Sequence, residues 1–245
     1  MKILSLNINN FGGHKNKEKY KKENRLREWR LLDKTMEASE IFAYIQQEKP
    51  IVAILHEFEL NTKTGNDFIE FMKLIGYEIV PHEETGLKNP SITIIFVKKE
   101  LLYEKLDNPH KYKTEKTLRA GVIKVADFII YGFHVPTIYD TNFWNEVIDF
   151  YKEHQTEKLA IIGDFNTYVI GTDRKKDFLK LLELNAKDAW LEKGYPNSTR
   201  TYIKGSRLDY AILSPTLYEC LNNIRIDPYL MDNGITDHAA LIIDV

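Results

Sequence analysis

Polar residues able to do acid–base and metal chemistry recur where apolar runs end. Asn7 and Asn9 follow Ile3–Leu6, and Glu57 follows Ile51–Leu55. His134 closes Phe128–Phe133, Asp164 and Asn166 follow Leu159–Gly163, and Asp237-His238 precedes Ala239–Val245. Each taken singly has a plain reading. A carboxylate or Asn just past a strand commonly forms a turn or caps a helix, and a lone histidine is more often structural than catalytic. Asp209 is harder to dismiss. It sits inside Arg207-Leu208-Asp209-Tyr210 at the head of an apolar run, where an unpaired carboxylate is costly and needs a partner such as a histidine. Taken together the set has one chemistry. Glu57, Asp164 and Asp237, with amide oxygens from Asn7 and Asn166, are the oxygen donors a hard cation such as magnesium takes. His134, His238 and Asn166 are donors to charge building on phosphoryl oxygens. An Asp209–His238 pair holds the imidazole in one tautomer and favours its charged form. These are the parts for metal-assisted hydrolysis of a phosphate ester, with a base beside a water nucleophile.

Such a set must be held by buried strands. Short runs rich in Ile and Val recur at Ile3–Ile8, Ile51–Leu55, Tyr77–Val80, Ile92–Val97, Gly121–Val125, Phe128–His134, Leu159–Ile162, Leu208–Leu213 and Ala239–Val245. Their near-continuous apolar character predicts strands covered on both faces. Helical periodicity lies between them, in Phe143, Trp144, Val147, Ile148 and Tyr151, in Asp177, Phe178, Leu181 and Leu182, and in Ser39 to Gln47, which Pro50 stops. Asp127 between two runs predicts a tight antiparallel hairpin. Two mixed sheets packed face to face with helices outside fit this order. A doubly wound parallel sheet is the alternative, but Gly12-Gly13 lacks the spacing of a dinucleotide-binding turn.

The chain has 245 residues, 43% hydrophobic and 29% charged, enough to build a sizeable core. With no repeat, low-complexity tract or Gly/Pro/Ser-rich linker, one domain over 1–245 is expected. A lone cysteine, Cys220, excludes an intrachain disulfide and suits a reducing compartment. Met1-Lys2 leads into an apolar run too short for a signal peptide, and no run approaches the ~20 residues that span a bilayer. A soluble cytoplasmic protein is expected, and nothing in the sequence points to an obligate protein partner. The net charge of −2 argues against attraction to nucleic acid over the whole surface. The stretch Lys15–Arg30 is locally basic, either a solvated face or a phosphate contact.

The blocks Leu4-Ser5-Leu6-Asn7-Ile8, Leu55-His56-Glu57, Gly132-Phe133-His134-Val135-Pro136, Gly163-Asp164-Phe165-Asn166, Arg207 to Ser214 and Thr236-Asp237-His238 resemble, in order, the endonuclease/exonuclease/phosphatase superfamily. The resemblance runs from residue 3 to 245. It implies a four-layer α/β sandwich, with Glu57, Asn7 and Asp237 as metal ligands for magnesium, manganese being able to substitute. It implies that Asp164 activates or orients the attacking water and that Asn166 holds the phosphate. It implies that His238, paired with Asp209, contacts the scissile phosphate, that His134 is a phosphate or transition-state ligand, and that Arg119 binds phosphate. Whether Asp164 or His238 is the base stays open.

Two positions depart from the pattern. Asn9 stands where many relatives carry Asp, which weakens a second metal position. His56 replaces the usual Gln, and a core or surface role is expected for it. Leu60 excludes a zinc motif at His56-Glu57.

Asn185 to Trp190, Pro196 to Tyr202 and Arg207 to Tyr210 are similar to the C-terminal part of exonuclease III-like enzymes, which implies DNA as substrate. Thr199, Arg200, Thr201, Tyr202 and Lys204 are then expected near a phosphate backbone, and Trp190 in the core. A phosphodiesterase or phosphatase acting on a small phosphate is one alternative, and a non-catalytic interaction module of the same fold is another. Degenerate members of the second kind typically lose the equivalents of Glu57, Asp164 or His238, and all three are present.

Overall fold

The computed structural model describes residues 1–25, 28, 32–82, 90–110, 117–167 and 173–245. β1 (Lys2–Asn7), β2 (Val52–Glu59), β3 (Tyr77–Ile79), β4 (Ser91–Lys98), β11 (Asn223–Asp227) and β12 (Ala240–Asp244) form one six-stranded sheet in the order β11-β12-β1-β2-β4-β3. β5 (Tyr103–Lys105), β6 (Ala120–Val125), β7 (Phe128–His134), β8 (Lys158–Asp164), β9 (Lys187–Asp188) and β10 (Asp209–Leu213) form the other, ordered β5-β6-β7-β8-β10-β9. β1 runs parallel to β2 and β7 to β8, and the remaining pairs are antiparallel. The expected hairpin joins β6 to β7 through Ala126, which turns at φ 54°, and Asp127.

Three apolar layers hold the sheets and helices together. Between the sheets, Ile3, Val52, Ile54 and Ile95 meet Ile130, Ala160, Ile162 and Ala211. The outer face of the first sheet, through Leu4, Leu6, Leu55 and Phe58, packs on Ile41, Ile45, Phe68 and Met72. Those residues come from two helices, Thr35–Glu48 and Lys63–Leu74. The outer face of the second sheet, through Tyr131, Phe133, Ile161 and Tyr210, packs on Phe143, Trp144, Tyr151 and Phe178 of helices Thr141–His154 and Asp173–Glu183. This is the expected four-layer sandwich. Burial on both faces explains why the strands read as continuous apolar runs. The helix Thr35–Glu48 ends on Lys49 in the left-handed region (φ 51°), with Pro50 unable to continue it. Among the described residues no helix is long and apolar enough to cross a membrane.

Strand alternation decides where chemistry can sit. Ile3-Ser5-Asn7, Val52-Ile54-His56, Ile130-Gly132-His134, Ala160-Ile162-Asp164 and Leu213-Ala211-Asp209 each point to the space between the sheets. Each begins apolar and ends polar. Register aligns those ends, Asn7 opposite His56 in one sheet and His134 opposite Asp164 opposite Asp209 in the other. The inter-sheet core thus turns polar along one rim.

Candidate active site

Two backbone irregularities bring further groups to that rim. A β-bulge between Leu55 and Phe58 inserts one residue into β2 against β4. Glu57 sits in it at φ 53°, so its carboxylate is aimed at the rim instead of the helices that cover Leu55. After β1, Asn9, Asn10 and Phe11 are all left-handed, at φ 47°, 54° and 55°. Such a run is costly for residues other than glycine, although Asn tolerates it best. Phe11 is anchored in the outer core by edge contact with Phe58, ring centroids 5.2 Å apart. The turn delivers Asn10, whose Nδ2 donates to Glu57 Oε2 at 3.0 Å. Asn7 Nδ2 donates to Asp164 Oδ2 at 3.2 Å and reaches Glu57 Oε1 at 3.4 Å, and its Oδ1 accepts the Asn9 N–H. Asn7 therefore ties the two carboxylates together across the sheets.

Hydrogen-bond logic fixes the protonation of the histidines. Arg119 Nη1 lies 3.0 Å from His134 Nδ1, and a guanidinium can only donate. His134 is thus unprotonated at Nδ1 and carries its proton on Nε2, 3.6 Å from Asp164 Oδ2 and 3.9 Å from Glu57 Oε1. Burial holds its pKa well below the usual histidine value, with Arg119 and His238 adding to the effect. Arg119 does not line the cleft; it orients His134 from behind. Thr93 Oγ1 donates to the Arg119 carbonyl at 2.9 Å, so it accepts from His56 Nδ1, and His56 Nε2 accepts from Ser5 Oγ at 2.9 Å. His56 is a fully buried, neutral core histidine.

His238 is different. Its Nδ1 donates to Asp209 Oδ2 at 2.9 Å and its Nε2 lies 3.7 Å from Asp164 Oδ2. Burial alone would drive off its proton, but Asp209 and Asp164 overcome that and lift its pKa to about 10. The imidazole is charged and has no site left to accept a proton. Asp164, 1% exposed, is raised to about 7 by burial, opposed by His238 and reinforced by Asp209. Asp164, Asp209 and His238 come within 4.8 Å of one another, close enough to ring a cation. With His238 protonated, however, they form an ion-paired triad. The oxygens better suited to a hard cation are those of Glu57 and Asp237; Asn7, expected beside them as a ligand, turns its Nδ2 toward Glu57 and gives its Oδ1 to the Asn9 N–H, so it positions the carboxylate. An anionic, all-oxygen donor set at the rim fits a divalent ion.

A cleft of about 330 Å³ opens over these groups, lined by Glu57, His134, Asp164, Asn166, Asp237 and His238 together with Lys17, Thr137, Tyr202, Lys204, Ser206 and Leu208. Asn166, left-handed at φ 50°, gives its N–H to Asp164 Oδ1 at 3.0 Å and its Nδ2 to the Val135 carbonyl at 2.8 Å. Thr236 Oγ1 donates to the Asn7 carbonyl at 2.6 Å, locking the Asp237-His238 segment to β1. The residues expected near a phosphate backbone divide. Tyr202 and Lys204 line the cleft, and the Tyr202 ring lies 4.9 Å from that of His238. Thr201 is fully buried and accepts the Leu208 and Asp209 N–H groups. Arg200 pairs with Asp232, and Thr199 caps the Pro196 carbonyl. Arg207 is buried too, in a bidentate pair with Asp188 at 2.6 and 2.9 Å. Asp188 also caps the short helix carrying Trp190, which is 9% exposed. Of Lys15–Arg30, the Lys15 side chain, Arg27 and Arg30 lie outside the described residues. Lys17 on the helix His14–Lys22 reaches the cleft, which no spacing signal in that charge run marks.

No family model matches the chain, and no curated protein matches it in sequence. Solved structures match in shape. An AP endonuclease from Archaeoglobus fulgidus superposes with a TM-score of 0.73 at 15% identity, covering 100% of this chain and 98% of that one. The 3'-5' exonuclease NExo from Neisseria meningitidis gives 0.66 at 16%, covering 100% and 99%. The chain has the deoxyribonuclease I-like fold. The AP endonuclease LMAP from Leishmania major, at a TM-score of 0.66 and 17% identity over 99% of this chain and 86% of its own, shares it. In this fold the rim between the two sheets is where the polar strand ends of the present chain converge.

Proposed function

We propose that this chain is a divalent-cation-dependent hydrolase that cleaves phosphodiester bonds in DNA. One observation carries the reading. Asp164 Oδ2 stands at the floor of the cleft with Asn7 Nδ2 at 3.2 Å, His134 Nε2 at 3.6 Å and His238 Nε2 at 3.7 Å, so these groups surround a point above the carboxylate. Glu57 and Asp237 would hold magnesium, or manganese in its place, with Asn7 holding Glu57 in position through its Nδ2; the ion when bound would polarise the phosphate and lower the pKa of water. Asp164, with a pKa of about 7, is poised to take the proton of the attacking water. His238, already protonated, is the charged donor to a phosphoryl oxygen, and neutral His134 donates a second N–H. Asn166 orients Asp164 and frames the phosphate, and Asp209 positions His238. DNA is favoured because the proteins of similar shape are AP endonucleases and a 3'-5' exonuclease.

The test is cleavage of an end-labelled duplex carrying one abasic site, beside an intact duplex, with magnesium and with EDTA. Magnesium-dependent incision should fall about 10²–10⁴-fold in Asp164→Asn and in His238→Ala. Near wild-type turnover by either variant would remove that residue from the mechanism. The net charge of −2 and the small number of lysines on the cleft favour a second reading, a small phosphodiester as substrate. Hydrolysis of bis(p-nitrophenyl) phosphate with neither duplex cut would select it.

A further inference from the structure

We infer that the ammonium group of Lys17 stands in for a second divalent cation, so that the cleft takes one metal ion and supplies its remaining positive charge from its own chain. The inference rests on the metal-dependent hydrolysis proposed above and specifies its stoichiometry. Lys17 Nζ lies 3.9 Å from Asp237 Oδ2, donates to Asn9 Oδ1, and lines the same cleft as Glu57 and Asp164. An ammonium can only donate, so Asn9 must present its oxygen to it. That orientation leaves Asn9 Nδ2, in a residue with no exposed surface, without a hydrogen-bond partner. A buried orphan donor is a real cost, and so is the left-handed backbone at Asn9 (φ 47°) and Asn10 (φ 54°) that brings the amide there. Both are tolerated where the oxygen meets Lys17.

Charge points the same way. His238 and Asp209 neutralise one another, which leaves Glu57, Asp164 and Asp237 as the acidic lining among the described residues. One divalent ion with Lys17 already offsets those three carboxylates, and Lys204 on the same cleft adds further positive charge. Two divalent ions beside Lys17 would leave an excess, and Asn9 offers a neutral amide where an anionic ligand would be needed to hold the second. The fixed ammonium would also contact a phosphoryl oxygen without having to be recruited from solution.

Manganese binding to the full chain, followed by electron paramagnetic resonance, tests this without reference to turnover. The wild type should bind one Mn²⁺, and that ion should be lost in Glu57→Gln. Lys17→Met keeps the apolar stem without the charge, and Lys17→Gln keeps a donor toward Asn9. Both should retain the first ion and admit a second, weaker one. Adding Asn9→Asp to Lys17→Met should tighten the second site by about tenfold or more. Two ions of similar affinity in the wild type, or a single ion in every Lys17 variant, overturns the inference. A wild type that binds one ion through Glu57 while the double variant also binds one sinks only the role of Lys17. A wild type that binds none sinks the metal-dependent reading with it.

Discussion

A charged imidazole held between Asp209 and Asp164 gives His238 a pH signature. Its native pKa of about 10 lies above the unfolded value of about 6.5, so its stabilisation is complete below about pH 6.5 and is lost as pH rises through 10. Asp164, raised to about 7 from about 3.9 unfolded, loses its contribution between those values. His56 and His134 are shifted down and act with the opposite sign, costing stability only as pH falls below about 6.5. In EDTA, the urea midpoint should therefore fall from pH 6.5 to pH 9, and the fall should flatten in His238→Gln; a flat or rising wild-type curve would contradict the charge assignment. Arg119→Met tests the partner histidine. Without the donor at Nδ1 the Nε2–H tautomer is no longer enforced, and kcat should drop roughly 10–100-fold, the range for outer groups that orient an imidazole, with KM little changed. An unchanged kcat would mean that His134 needs no such orientation. Most of the rim was readable from residue type, because a polar side chain at the end of a buried strand needs a reason to be there. The Asp209–His238 pairing followed from that argument and stands in the structure at 2.9 Å. The service of Arg119 to His134 was not readable, since it depends on which nitrogen faces which element.

Elements with strong burial were legible, and of the four edge strands only β3, expected at Tyr77–Val80, was. β7 falls on the expected Phe128–His134, whereas β5, β9 and β11 went unmarked. Edge strands carry little apolar signal, and β11 reads Asn-Ile-Arg-Ile-Asp with only Ile224 buried. The bulge at Glu57 and the left-handed turn after β1 were also invisible, because neither changes the pattern of residue types. Gly163 marks another such constraint. It lies at φ 152°, and a Cβ there would stand 1.9 Å from the Phe133 carbonyl oxygen and 3.0 Å from the His56 ring. Gly163→Ala should destabilise by about 3 kcal/mol or more, measurable by urea unfolding, through forced separation of β7 and β8. A loss below 1 kcal/mol would show that the two strands yield easily. At a helix end the cost is smaller. Asp140 Oδ1 accepts the N–H groups of Asn142 and Phe143, and Asp140→Ala should cost about 1 kcal/mol.

For the molecule as a whole, the modest charge sets how it meets a polyanion. Among the described residues the cations facing the cleft are Lys17, Lys204 and His238. With up to three phosphates neutralised, log K for duplex binding should fall with log salt at a slope of about −3 or shallower. A slope steeper than about −5, read by fluorescence anisotropy, would place the basic stretch Lys15–Arg30 on the DNA as well. The strand alternation has a further consequence for how such a protein can change. Each polar rim group on β7, β8 and β10 sits two residues from an inter-sheet residue on the same strand, so a one-residue insertion there would expose the core and turn the rim group away together. Residues 136–140 and 203–206 take part in none of the three apolar layers. Inheritance is thereby divided: the strands pass on the polar rim and the interior as one unit, while the loops above can lengthen, shorten or be exchanged without entering either.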